Sequence, residues 1–240
     1  MKIDAANMHF QTLNEKIRGT RAGNVVIENC IGQRYIASGL AKKKIRILGT
    51  PGNALGAYLN GAQVTVEGNA QDAVGDTMND GTIYIHGSSG DAIGYAMRGG
   101  KIFVKGSTGY RAGIHMKAYK EKLPVLVIGG HAGSFLGEYQ AGGVIIVLGL
   151  NTTSKIPVGY FCGTGMHGGK IYLRCDELPH DLPSQVAAKK AAPEDLKEIE
   201  EYIDEFCQEF EASKAEIMTH NFYVLTPNTK NPYKQLYTHN

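Results

Sequence analysis

The chain has 240 residues, 42% apolar and 20% charged, with a formal net charge of +2. That is enough chain for a substantial core and too little positive charge to mark a nucleic-acid or anionic-membrane partner. Glycine is the outlier, at 31 residues, close to twice the usual ~7%.

Residues 1–24 are expected to form an N-terminal helical cap. In FQTLNEKI, Phe10, Leu13 and Ile17 fall at i, i+3 and i+7, one face of a short helix. The stretch before it has no apolar h-region, and no segment approaches the ~18 apolar residues of a membrane span. Cys30, Cys162, Cys175 and Cys207 are far apart and form no C-x-x-C pair. They read as free thiols of a reducing compartment, so the chain is expected in the cytoplasm.

Residues 25–177 carry an internal repeat. IRILGTPGNALGAYLNGAQ, VTVEGNAQDAVGDTMNDGT, IYIHGSSGDAIGYAMRGGK and IFVKGSTGYRAGIHMKAYK begin at Ile45, Val64, Ile83 and Ile102, 19 residues apart. Looser copies open at Val25, Val125, Ile145 and Ile171. Each copy starts with a triplet that is apolar at its first and third positions, the period of a strand with one buried face. The middle residues Arg46, Thr65 and Tyr84 should face outward. Glycines then recur, at Gly49, Gly68, Gly87, Gly106 and Gly129, and again at Gly56, Gly75, Gly94, Gly113 and Gly137. At such fixed offsets they are expected to supply the positive φ of sharp corners. Leu59, Met78, Met97 and Met116 form a third column, read as stacked core filler. A unit of 19 residues is too short for a helical hairpin and spans about 60 Å when extended. The expected fold is all-β: a single-stranded right-handed parallel β-helix of about seven turns with flanking helical segments.

Residues 178–240 form a C-terminal helix and an extended tail in this reading. PEDLKEIEEYIDEFCQEFEASKAEIM has proline at its start, acids in its first turn and one apolar face of Leu196, Ile199, Ile203, Phe206 and Phe210. NFYVLTPNTKNPYKQLY should then wrap the body or reach a partner. The segment after Glu177 holds 11 acidic and six basic residues, as a solvated helix face does.

No catalytic, cofactor-binding or metal-binding residue emerges. The glycine runs lack the G-K-[ST] of a phosphate loop, and GTGMHG (Gly163, Gly165, Gly168) leads into the strand KIYLR rather than a helix. His86, His115, His131 and His167 occupy different repeat positions and form no metal-ligand column. Arg111 lies near a corner, and only Asp72 and Asp91 match as acids in register. An independent enzyme acting on a polysaccharide would need a wider cross-turn cluster of acids and bases.

GNAQDAVGDTMNDGTIYIHGSSGDAIGYAMRGGKIFVKG resembles the repeat of the G-x-G-x-G domain at the C-terminus of the glutamate synthase large subunit. AGGVIIVLG and GTGMHGGKIYL are similar to its final turns. The order of IGQRYIASGL, repeats, acidic helix and FYVLTPNTKNPYKQLY is similar to the stand-alone form of that domain. The resemblance implies a non-catalytic subunit that holds amidotransferase and FMN-dependent synthase subunits and borders the ammonia route for glutamine-dependent amination of 2-oxoglutarate. FMN and iron–sulfur clusters would sit on those partners and none on this chain; self-association is compatible with it. Subunits of formylmethanofuran dehydrogenase and N-methylglutamate synthase carry similar repeats. The segments 117–124 and 150–162 depart from the fused enzyme, and they and the exposed corners are the expected docking elements.

Overall fold

The computed structural model describes residues 1–228. Each repeat contributes one strand: β2 (Asn24–Ile31), β3 (Lys44–Thr50), β4 (Asn60–Val66), β5 (Asp80–Ile85), β6 (Lys101–Val104), β7 (Val125–Ile128), β8 (Ala141–Val147) and β9 (Gly168–Arg174). These pair in parallel, and the 19-residue period is their register: Ile45 lies beside Val64, Val64 beside Ile83 and Ile83 beside Ile102. The column continues through Leu126, Ile145 and Ile171 and is buried throughout, as are Leu59, Met78, Met97 and Met116.

The expected seven-turn, right-handed parallel β-helix is corrected by the strand order. All eleven strands of the described residues form one mixed sheet, β1-β2-β3-β4-β5-β6-β7-β8-β9-β11-β10. Only one side of each repeat is extended enough to form a strand. Elsewhere successive repeats meet through single bridges, Ala70 to Ser89, Ser89 to Thr108, Thr108 to Ala132 and Ala132 to Val158. The sheet is mixed because β11 (Phe222–Pro227) returns antiparallel between β9 and β10 (Val186–Lys190). At the other end β1 (Lys2–Asp4) pairs in parallel with β2, a strand too short for periodicity to reveal. The helix α1 (Phe10–Gly19) follows, with Leu13 and Ile17 buried. Residues 229–240, the end of the expected tail, lie outside the described residues.

The single long C-terminal helix resolves into α2 (Pro193–Lys197), α3 (Glu200–Phe210) and α4 (Lys214–Met218). Left-handed Glu211, at φ 56°, ends α3, and the hydroxyl of Ser213 caps α4. Ile203, Phe206 and Phe210 of α3 pack on Phe103, Val127, Ile146 and Tyr172, the outward-facing residues of β6–β9. This second core explains a change in the repeat itself. The middle residue of the triplet is polar or amphipathic at Arg46, Thr65 and Tyr84, and apolar or aromatic from Phe103 onward, where α3 covers the sheet. Burying a side chain such as Phe206 there contributes about 1.5–3 kcal/mol.

The corners hold more left-handed residues than the glycines predict. Three alternate positions per repeat have positive φ: Tyr35, Ala37 and Gly39; Ala54, Gly56 and Tyr58; Ala73, Gly75 and Thr77; Ala92, Gly94 and Ala96; Arg111, Gly113 and His115; Phe135, Gly137 and Tyr139; Phe161, Gly163 and Gly165. The expected glycine role therefore holds at Gly56, Gly75, Gly94, Gly113 and Gly137, with φ of 63–69°, and at Gly49 with φ of 127°. Gly68, Gly87, Gly106 and Gly129 are not left-handed. At Gly87 and Gly106 the requirement is close approach. A Cβ would lie 2.2 Å from Asn69 Oδ1 at Gly87 and 2.4 Å from Ser88 Oγ at Gly106.

Candidate interaction surface

Those close approaches belong to two ladders of side-chain oxygens, each accepting a backbone N–H from the next repeat. Asn69 Oδ1 accepts from Ser88, Ser88 Oγ from Ser107 and Ser107 Oγ from His131, at 2.8–3.1 Å. Asp72 Oδ1 accepts from Asp91 at 2.9 Å, Asp91 Oδ1 from Tyr110 at 2.8 Å and Ser134 Oγ from Tyr160 at 3.0 Å. In all six cases the residue before the donor is glycine (Gly87, Gly106, Gly130, Gly90, Gly109, Gly159), and a Cβ there would lie 2.0–2.6 Å from the accepting oxygen. Asp72 and Asp91, the acids that match in register, are thus tied to backbone amides and satisfy corners of the chain. The sequence signal that would have found this is glycine followed by a residue exactly one repeat beyond Asn, Asp or Ser.

The four histidines have different surroundings. His86 Nε2 lies 3.0 Å from Glu209 Oε1, His115 stacks on Tyr139 with centroids 5.2 Å apart, and His167 Nδ1 lies 3.1 Å from the Gly165 carbonyl. His131 is half-buried, which pulls its imidazole below the usual value. Among the described residues no three His, Cys, Asp or Glu side chains converge to hold a metal ion. Burial pushes the Cys30 and Cys175 thiols up to about 11 and that of Cys162 up to about 12, far from the thiolate a nucleophile needs near neutral pH. Gly163 and Gly165 are left-handed corner residues and Gly168 opens β9, so GTGMHG builds a turn into a strand.

The later corners carry larger side chains than the three before them. The first left-handed position of each corner is Tyr35, then alanine at 54, 73 and 92, then Arg111, Phe135 and Phe161. A non-glycine residue costs roughly 1–2 kcal/mol in this conformation, and the larger side chains do not offset that by entering a core. The Phe135 and Phe161 rings stack 5.0 Å apart and Tyr160 lies 6.3 Å from Phe161. The Arg111 guanidinium sits 5.0 Å over Phe135, held by Glu138 at 3.0 Å. Tyr160 is 71% exposed, Tyr110 56% and Phe161 49%. Tyr160 also borders a 360 Å³ groove with His131, Ile156, Val158, His180 and Asp181. Exposed aromatics with arginine match the composition of protein interface centres. Segment 150–162 supplies Tyr160 and Phe161 to this aromatic edge, and segment 117–124 separately exposes Tyr119 and Leu123. No helix among the described residues is long and apolar enough to cross a membrane.

A repeated strand, glycine-dependent corners and an uncovered aromatic edge define a repeat-built sheet protein that presents a surface. The chain belongs to the GXGXG motif family, which it matches over residues 4–231. It is 48% identical over 250 residues to the uncharacterized protein MJ1350 of Methanocaldococcus jannaschii, covering 98% of this chain and 95% of that one. Its fold is similar to a chain in the crystal structure of the formyltransferase/hydrolase complex from Methylorubrum extorquens in complex with methylofuran. That likeness has a TM-score of 0.61 at 20% identity, over 91% of this chain and 87% of the other.

Proposed function

We propose that this chain is a non-catalytic assembly subunit of a multi-subunit enzyme of the glutamate synthase type. It holds an amidotransferase subunit and an FMN- and iron–sulfur-bearing synthase subunit through its aromatic edge, and borders the route by which ammonia passes between them. The observation that carries the reading is the edge of Arg111, Phe135 and Phe161, large side chains at left-handed positions that do not enter the core, with exposed Tyr160 beside Phe161. Family membership supports it. A second reading keeps the assembly role and changes the complex to one of the formylmethanofuran type; the fold shared with a chain of a formyltransferase/hydrolase complex favours it.

The test is reconstitution with each candidate set of partners. The reading expects a stoichiometric complex with the amidotransferase and synthase subunits and glutamine-dependent activity only in their presence. Stoichiometric FMN on the purified chain, or glutaminase activity by the chain alone, would overturn it. Assembly with formyltransferase/hydrolase-type subunits instead selects the second reading.

A further inference from the structure

The segment 150–162 does more than present Tyr160 and Phe161. Its first half and Arg174 of β9 border a half-open cavity of about 150 Å³, lined by Thr152, Ser154, Lys155, Arg174, Asp176 and His220 among others. Arg174 is half-buried. Its Nε donates to the Ile217 carbonyl at 3.1 Å and its Nη1 to the Leu148 carbonyl at 2.9 Å. Those two neutral acceptors use two of the five guanidinium N–H groups. Among the described residues no carboxylate forms an ion pair with Arg174. Burial disfavours its charged form, and Asp176 and Glu216 act on it only from a distance. A cation partly withdrawn from water and held only by neutral carbonyls is incompletely compensated, and Arg174 also lines the cavity.

The other walls fit an anion as well. Lys155 reaches the cavity while paired with Glu177 at 2.6 Å, and His220 adds an imidazole. Thr152 Oγ1 accepts from the Ser154 amide at 3.1 Å, which leaves its own O–H to donate. Asp176 is the one carboxylate on the wall and limits the charge the site would accept. At roughly 30 Å³ per water, the cavity has the volume of about five waters. That suits one tetrahedral oxyanion and is below the ~300 Å³ of sites for larger ligands.

We infer that Arg174, Lys155, Thr152 and His220 form a binding site for a small tetrahedral oxyanion, phosphate or sulfate. The site is independent of the assembly role. Titration calorimetry with inorganic phosphate and with sulfate, at constant ionic strength in chloride, should give saturable 1:1 binding, accompanied by a concentration-dependent rise in Tm. Arg174→Gln should weaken it at least about tenfold. Because that substitution also removes bonds to Leu148 and Ile217, the double variant Lys155→Ala/His220→Gln, which leaves them in place, should weaken it several-fold with an unchanged anion-free Tm. Acetate should bind more weakly than either anion. Absence of saturable binding, equal binding by the double variant, or stronger binding of acetate would overturn the assignment.

Discussion

The glycine before each ladder donor and the oxygen one repeat earlier should behave as a unit, and Gly90 with Asp72 is the cleanest pair. A Cβ at Gly90 would lie 2.0 Å from Asp72 Oδ1, while its nearest backbone neighbour, the Asp72 nitrogen, is 3.3 Å away. Gly90→Ala therefore expels the carboxylate from its bond to the Asp91 amide. Asp72→Ala removes the same bond directly. Each change should cost about 1 kcal/mol, a net hydrogen bond at an exposed site. The double variant should also cost about 1 kcal/mol, because the bond can be lost only once and the alanine methyl then has room. The coupling is thus about 1 kcal/mol, or about 2–4 °C of Tm in a chain of this size. Thermal and urea unfolding of the four proteins measure it. Costs that add to within about 0.3 kcal/mol would refute the ladder as the reason for these glycines. Asp72→Asn, which keeps an accepting oxygen, should lie within about 0.5 kcal/mol of the parent.

Phe206→Ala empties the centre of the core between α3 and β6–β9, where Phe206 is 1% exposed and packs edge-on to Phe210 at 4.9 Å. It should cost about 3–5 kcal/mol, and hydrogen exchange should accelerate first in α3. Asp195 is held below its ordinary 3.8 by the Ala192 amide and then by Lys189. A depressed folded-state value means stability present above 3.8 and lost as pH falls through the folded value. Asp195→Asn should therefore lower Tm at neutral pH and flatten the acid limb; a parallel shift at every pH would contradict this. Of the four thiols, half-buried Cys207 should react first with an aromatic disulfide reagent near pH 8, with Cys30, Cys162 and Cys175 following only on unfolding.

The period, strand positions and buried columns were legible because each repeat states them again in the same register. Ile45, Val64, Ile83 and Ile102 are adjacent in space because they are 19 residues apart in sequence. The single sheet was not legible. Pairing of β11 between β9 and β10 joins segments 33–54 residues apart with no shared pattern, and β1 is only three residues long. The break in the C-terminal helix depends on left-handed Glu211, a residue type that does not announce that conformation. The aromatic edge was partly visible: segment 150–162 stood out as a departure, but nothing local marks Arg111, Phe135 and Phe161 as successors of three alanines until the corners are aligned. Arg174 was missed because its significance lies in the carboxylate it lacks.

The assembly role is tested most directly by native mass spectrometry of the reconstituted complex, comparing the parent with Tyr160→Ala/Phe161→Ala. Both residues are exposed, so the double variant should keep its Tm to within about 1 °C. The account predicts that the parent joins the amidotransferase and synthase subunits in one stoichiometric particle and that the variant, though folded, does not. A variant that assembles as fully as the parent would contradict it.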